Sequence, residues 1–574
     1  MADVDRIESP RIPVAHFAWV FAVAATVWAI FFWANFHALT APDSLKYAQA
    51  ARNFLRGDGF AIEMRHASDF ALYADGDRME RIAVAHRFGY FIAPAWTALW
   101  FALLGEEDWV AAFATGWWYV LAVPLMFALA REIAPRSAWL ATLFFALHAG
   151  VLALSVSGLT EPAYLAGVIA SMYGLARARR DFAGVLVAAV ALAVTWYTRD
   201  LARVFVGVAL VGAPFLISPG KVKRWATLIV LTCVMVAALG QVEQRLNRVT
   251  YPPGTRGGHL DVAAELRSLE PAPTRLGRWL DRYGRMTVTQ FTEAFPGHSR
   301  ERTLDPVRES DVYGRDPGLI RRKWATNLRL TMRHIFIGAF GPVLVLAFLG
   351  FAAFARKADG GARIFYGWSL VVLAAHAAVC VLMLSMSRYL LAALPLACVF
   401  AAEFVARVRE AWKGTAPIVR DASVGALAFA CLYPFSFATL VPQLAPLAGD
   451  EVRELREVSP EALVAFEEFL KTNTTRDEVV VCDVPWVSMW RGDRTSIWLP
   501  LNPEQLIVLA RRVDVDAVVI TFQTREDMSA WREWLRGFAE APGGARDGWR
   551  IAAALRQGPT TVYLLRPDDM SGTP

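Results

Sequence analysis

The chain has 574 residues, 56% of them hydrophobic, with 21 Trp and 35 Phe and a mean hydropathy of +0.35, which is too apolar for a water-soluble protein of this length. A formal charge of +6 invites a polyanion partner, but Lys and Arg fall in short clusters between apolar runs. That distribution sets membrane topology and excludes a nucleic-acid face. Four of the five Cys (Cys233, Cys380, Cys398, Cys431) sit inside apolar runs and only Cys482 lies outside, so neither a disulfide framework nor a thiolate metal cluster can be built.

In chain order, the polar stretch Met1 to Pro13 precedes an apolar run without a small-residue cleavage site, read as a retained first span. Further runs of spanning length lie near 109–130, 137–156, 161–177, 182–198, 202–217, 223–240, 334–355, 364–385, 389–406 and 421–440. The run Phe88 to Leu104 is short and carries Pro94 in its middle. If it lies flat in the interface, the clusters Arg131/Arg136, Arg177/Arg179/Arg180, Lys221/Lys223/Arg224, Arg356/Lys357/Arg363 and Arg407 to Arg420 all face the cytoplasm. The expectation is a mainly α, polytopic membrane protein of about eleven spans in the plasma (inner) membrane, N-terminus cytoplasmic, C-terminus outside. It divides into a membrane domain, 1–440, and an exported α/β domain, 441–574; two loops, 38–88 and 241–333, are exported as well. In the tail, Pro460–Thr472, Pro503–Val513 and Ser529–Phe538 read as helices. Glu478–Asp483, Thr495–Leu499, Ala517–Thr521 and a hairpin of Trp549–Ala554 with Thr560–Leu565 read as strands.

This topology gathers ionisable residues at helix ends on one side of the membrane. Asp43 follows the first span, after Pro42, and starts an amphipathic segment whose Leu45, Ala48, Ala51, Phe54 and Leu55 share a face. Arg87 precedes the flat helix, Glu161 opens a span at Leu159-Thr160-Glu161-Pro162, Arg199 and Asp200 close another, and Arg388 with Tyr389 opens a third. A carboxylate there can take a proton from an incoming hydroxyl, and a guanidinium can hold a departing phosphate. Plainer roles stand beside these: Asp43 as a helix cap, Glu161 as a first-turn acid, Arg199–Asp200 as an interfacial ion pair, Arg388 as a snorkelling anchor. His148 and His376 read as packed within spans, and Asn473-Thr474-Thr475 as a helix-end turn. No Gly-rich phosphate loop, nucleophile elbow or metal-ligand spacing is present, so no cofactor and no metal is expected and an activated substrate must arrive through the lipid.

The run Ala41-Pro42-Asp43, Tyr47-Ala48-Gln49-Ala50-Ala51-Arg52, Gly57-Asp58-Gly59-Phe60, then Arg87-Phe88-Gly89-Tyr90, Leu159 to Pro162, Tyr197-Thr198-Arg199 and Ser387-Arg388-Tyr389 before Pro395 resembles the GT-C class of integral-membrane glycosyltransferases. Within that class the likeness is to the protein O-mannosyltransferase and aminoarabinose transferase branch. It implies inverting transfer of a sugar, hexosyl or pentosyl, from a polyprenyl-phosphate carrier to a lipid, glycan or protein hydroxyl on the exported face. In that pattern Asp43 is the base and Glu161 orients donor or acceptor. Arg87, Arg199 and Arg388 match the phosphate-binding positions, and Tyr47, Tyr90, Asp200 and Tyr389 lie where positioning groups belong. The chain departs from the pattern in reading Asp43-Ser44, where many relatives have Asp-Glu, and in lacking a following Asp-x-Asp. A lipid-linked substrate transporter or flippase, and an envelope polysaccharide ligase or polymerase, remain the alternatives.

Overall fold

A computed structural model describes residues 14–67, 91–218, 220–246, 302, 304, 309–339, 341–354, 360–412, 414, 416–440, 460–522, 528–540, 544–557 and 560–568. The chain opens with α1 (Val14–Asn35), a helix apolar on every side, followed by the amphipathic α2 (Pro42–Leu55) and the short strand β1 (Met64–Arg65). Next come α3 (Ile92–Leu104), α4 (Asp108–Ile133), the pair α5 (Ala138–Ala146) and α6 (Ala149–Ser155), α7 (Glu161–Ala178), α8 (Phe182–Trp196), α9 (Asp200–Ile217) and α10 (Val222–Leu246). Beyond residue 308 follow α11 (Glu309–Arg315), α12 (Gly318–Arg333), α13 (Pro342–Phe354), α14 (Gly360–Leu382), α15 (Leu394–Ala411) and α16 (Pro417–Leu440).

Among the described residues, six helices are long and apolar enough to cross a membrane, and a seventh span exists if α5 and α6, bent by 56° at their break, count as one. Three of the remaining expected spans fall short, since α8 has 15 residues, α13 has 13, and α7 carries Glu161 and Arg177 among its 18; the fourth corresponds to α16, 24 residues long. At 13 residues α3 reaches about 20 Å, short of a bilayer core; it packs on α2 and α4.

The helices share one apolar core in which small residues bring backbones together. A methyl group at Gly174 of α7 would sit 2.4 Å from the Ala188 backbone nitrogen of α8, and one at Gly167 would sit 2.3 Å from Thr195 Oγ1. In a low-dielectric bundle this close approach replaces the hydrophobic drive that lipid removes.

The tail folds as α17 (Pro460–Asn473), β2 (Val479–Cys482), α18 (Pro485–Gly492), β3 (Thr495–Trp498), α19 (Pro503–Arg512), β4 (Ala517–Ile520), α20 (Ser529–Glu540), β5 (Ala545–Arg546), β6 (Trp549–Gln557) and β7 (Thr560–Pro567). Its sheet runs β1-β3-β2-β4-β7-β6-β5, parallel through β4 and antiparallel beyond. The outermost parallel strand therefore comes from the first loop, more than 400 residues upstream: Met64 pairs with Ser496 and Arg65 with Ile497. The second loop also reaches the tail, where buried Arg302 donates to the carbonyls of Leu499 (2.7 Å) and Pro500 (3.0 Å).

One face of this sheet shares its core with the membrane-proximal helices. Leu39, Leu45, Ala48 and Ala51 join Phe101 and Val110 against Phe466, Leu470, Val484 and Trp490. Arg52 of α2 donates to the carbonyls of Trp490 (2.9 Å) and Met489 (3.1 Å) and pairs with Asp493 at 3.3 Å. Burial lowers its guanidinium to about 10, so it stays charged at neutral pH. Asn473 and Thr474 bond back to Phe469 and Leu470, as a helix-end turn does.

Gly174→Ala should cost about 1–3 kcal/mol, because backbone cannot yield as a side-chain tip can. Gly207→Ala in α9, with nothing within 4 Å, should be neutral or slightly stabilising. Thermal midpoints of the detergent-purified variants check the contrast, and equal midpoints would contradict it.

Candidate active site

The site is assembled where the first turn of α2, the start of α7, the residue before α9 and the stretch 385–388 meet. Ala41 is the extended N-cap residue of α2 and Pro42 occupies its first turn, where a missing N–H costs nothing. Asp43 does not cap the helix, for no side-chain cap bond forms. Its Oδ2 instead accepts from Arg388 Nη2 at 3.2 Å, with Lys46 Nζ 4.0 Å from Oδ1.

Glu161 reaches the same place because Gly158 permits a close crossing. Its φ of +73° suits glycine, and a Cβ there would meet Leu39 Cδ2 at 2.7 Å and Ser44 Cβ at 3.1 Å. The loop into α7 is thereby laid against the segment that carries Asp43. Glu161 Oε1 lies 2.6 Å from Arg199 Nη1 and 3.4 Å from Arg388 Nη1.

The four side chains form an alternating series, Asp43–Arg388–Glu161–Arg199, that runs from solvent inward. Asp43 has 42% of its side chain exposed and Glu161 has 2%. Two guanidiniums on one buried carboxylate satisfy the rule that interior charge must be paired. Aromatic faces complete the enclosure: the Arg199 guanidinium lies 5.1 Å from the Tyr389 ring centroid and 5.9 Å from that of Tyr164, and Arg388 lies 5.7 Å from Tyr389. Behind them His376 donates from Nδ1 to the Val372 carbonyl (2.8 Å), so its Nε2 accepts from the Tyr164 hydroxyl at 2.8 Å.

A cavity of about 400 Å³ opens at the outer end of this series, lined by residues 40–43, Ala153, Leu154, Ser157, Leu159, His334 and residues 385–388. Asp43 and Arg388 line it, whereas Glu161 and Arg199 stand behind them. Asp200 faces away, 74% exposed and 3.1 Å from Arg203, so it is not the partner of its neighbour Arg199. Tyr47 is half-buried and packs against the apolar clusters, and Arg87 and Tyr90 lie outside the described residues. The cavity wall adds groups that sequence reasoning passed over: His334, with Nδ1 3.3 Å from Ser385 Oγ, and Ser385 itself, 2.9 Å from Thr331 Oγ1. Three polar residues within Ser385-Met386-Ser387-Arg388, at the end of an apolar run, were the available signal.

A second set of bonds fixes the approach to Asp43. Asp108, the first residue of α4, accepts the Leu39 backbone N–H at 2.9 Å and the Trp490 indole N–H at 2.6 Å, and also pairs with Arg491. The tail and the segment leading into α2 thus hang on one carboxylate.

No protein-family model matches the sequence, and no curated protein matches it. Solved structures do. The Archaeoglobus fulgidus oligosaccharyltransferase in complex with Zn and sulfate aligns at TM-score 0.56 with 13% identity, over 91% of this chain and 70% of that one. ArnT from Cupriavidus metallidurans bound to undecaprenyl phosphate aligns at 0.53 with 13% identity, over 96% of this chain and 98% of that one. The fold is that of the GT-C glycosyltransferases. The archaeal oligosaccharyltransferase AglB from A. fulgidus, in complex with an inhibitory peptide and a dolichol-phosphate, aligns at 0.50 with 13% identity over 97% of this chain and 75% of its own. Likeness at this identity concerns the fold. Both acids of the site face Arg388, and among the described residues no three His, Cys, Asp or Glu side chains converge as a metal-binding group.

Glu161→Gln leaves the buried Arg199 without its carboxylate and Arg388 with Asp43 alone. The expected loss is about 3–5 kcal/mol, seen as a marked fall in thermal midpoint. Asp43→Asn, at the exposed end, should leave the midpoint near that of the parent. A midpoint for Glu161→Gln equal to that of Asp43→Asn would contradict the assignment of Glu161 as the buried counter-ion.

Proposed function

We propose that this protein is a membrane glycosyltransferase that moves a sugar from a polyprenyl-phosphate carrier to an acceptor hydroxyl, with inversion, in the Asp43 cavity. The observation that carries the proposal is that Asp43, exposed and outside any capping bond, shares the cavity with Arg388, which a buried acid holds in place.

In the proposed reaction the acceptor O–H proton passes to the Asp43 carboxylate while the oxygen attacks the anomeric carbon. The bond from that carbon to the phosphate oxygen breaks, and the phosphate departs with the electron pair. Arg388 links the two events. It faces the Asp43 carboxylate before transfer, and proton transfer neutralises that partner as negative charge grows on the phosphate. One guanidinium thereby exchanges one anion for another, stabilising charge where it develops. Glu161 stays ionised behind it, and Arg199 is the second cation of that anchor, set back from the cavity wall.

The topology proposed for this chemistry has about eleven spans in the plasma membrane, with the N-terminus in the cytoplasm. Residues 1–440 form the catalytic membrane domain and 441–574 the exported domain. The sheet supports this parity, because β1 of the first loop can pair with β3 of the tail only if both lie on one side, so an even number of crossings separates them. The cluster at helix ends also suits a transferase better than a flippase, whose charges belong nearer span centres.

The test is to incubate the purified protein with a panel of polyprenyl-phosphate sugars, with and without candidate lipid, glycan and peptide acceptors, and to measure free polyprenyl phosphate. Acceptor-dependent release is expected, and its absence across the panel would count against the reading. Asp43→Asn should lower kcat by about 100-fold to 10,000-fold at normal expression; retention of most turnover would remove Asp43 as the base.

A further inference from the structure

Helix α12 (Gly318–Arg333) presents its faces in the reverse of the usual order. Its sequence GLIRRKWATNLRLTMR contains five basic residues and no acid. The residues it buries are polar: Lys323, Asn327 and Thr331. Lys323 Nζ donates to the Leu382 carbonyl at 3.1 Å, Asn327 Nδ2 to those of Val381 (3.1 Å) and Met383 (3.3 Å), and Thr331 Oγ1 meets Ser385 Oγ at 2.9 Å. These contacts satisfy carbonyls that the end of α14 leaves without helical partners. Lys323, Asn327 and Thr331, spaced over about 12 Å of helix, thus bond to residues 381–385, the end of α14 and the segment that follows it. The helix packs against the C-terminal end of α14, and it leads directly into His334 on the cavity wall.

The outward face of α12 is cationic and apolar together. Arg321, Arg329 and Arg333 are exposed, and between them Leu328 and Met332 are 52% and 45% exposed; Phe336, in the turn that follows the helix, is 49% exposed. Spacings of seven, eight and eleven residues from Arg321 keep Leu328, Arg329 and Met332 on one side. Arg322 is also exposed but pairs with Asp316 at 2.6 Å. Apolar side chains interleaved with guanidiniums, on a helix packed at the end of a span, fit the headgroup zone of a bilayer: the apolar groups enter the acyl boundary and the guanidiniums meet phosphate.

We propose that the outward face of α12 binds anionic phospholipid headgroups of the leaflet at the exported rim, beside the Asp43 cavity. The occupant is a phosphodiester lipid of the bulk membrane, chosen by charge complementarity with a helix that has no carboxylate of its own. The inference rests on the membrane placement given under Proposed function, but its test needs no transfer assay, so the two can fail separately.

The experiment uses the full chain purified in detergent and titrated with phosphatidylglycerol or phosphatidylcholine, with bound lipid read by native mass spectrometry. The wild type should retain phosphatidylglycerol over phosphatidylcholine, less so at high salt. R321Q/R329Q should weaken phosphatidylglycerol retention by about 25-fold, since each basic group near an anionic surface contributes roughly fivefold. R321K/R329K should keep retention, because the charges remain. Equal retention of the two lipids by the wild type, or unchanged phosphatidylglycerol retention by R321Q/R329Q, would overturn the proposal. So would a dimer mass in the wild type that R321Q/R329Q converts to monomer, since a second copy would then be the occupant.

Discussion

One buried carboxylate organises the centre of this molecule. Glu161, at 2% exposure, opens a helix of the membrane bundle and holds the guanidiniums of Arg199 and Arg388, groups that would otherwise pull the apolar bundle open toward water. The arrangement has an inward and an outward end. Inward, the charge is closed off by the rings of Tyr164 and Tyr389. Outward, Arg388 extends to Asp43 and to the cavity. The exposed acid thus meets a cation whose position is set from behind, by an interaction that substrate never has to supply.

The rest of the fold keeps the segment bearing Asp43 in register with that anchor. Gly158 lets the loop before Glu161 lie on Leu39 and Ser44. Asp108 ties the Leu39 backbone to Trp490 and Arg491 of the tail, while Arg52 and β1 fasten the two sides of α2 to the same α/β unit. Burial alone would raise the Asp493 carboxyl, but Arg52, Arg56 and Arg476 around it hold it below the ordinary carboxylate range, so this seam stays charged at neutral pH. Tail and membrane helices share one apolar cluster, and the tail acts as a clamp on the first loop.

Much of this was legible in the sequence because its signals are local. Hydropathy runs give the helices, and alternation with turn residues gives eight of the ten tail elements from Pro460 to Pro567, each within a few residues of expectation; the two-residue β5 is not among them. The helix Pro485–Gly492 was not foreseen, since eight residues are too few for a helical period to stand out. Neither was β1, a two-residue strand whose existence depends on a partner more than 400 residues away. At the site, sequence placed Asp43, Glu161, Arg199 and Arg388 at helix ends without showing who pairs with whom. The near neighbours Arg199 and Asp200 look like a pair but point apart, because successive positions at a helix start face different directions. Likewise Asp43 sits where a capping acid belongs, yet a cation 345 residues away takes its carboxylate. Partners of that separation are fixed by packing, not by spacing.

The central claim is that Arg388 receives the carrier's phosphate beside Asp43, and the most direct measurement is an experimental structure of the protein with polyprenyl phosphate bound. The account predicts phosphate oxygens within hydrogen-bond distance of the Arg388 guanidinium, inside the cavity bounded by residues 40–43 and 385–388. A phosphate seated elsewhere, such as beside Arg203 at the apolar groove between α9 and α14, with Arg388 still engaged only by Asp43 and Glu161, would contradict it.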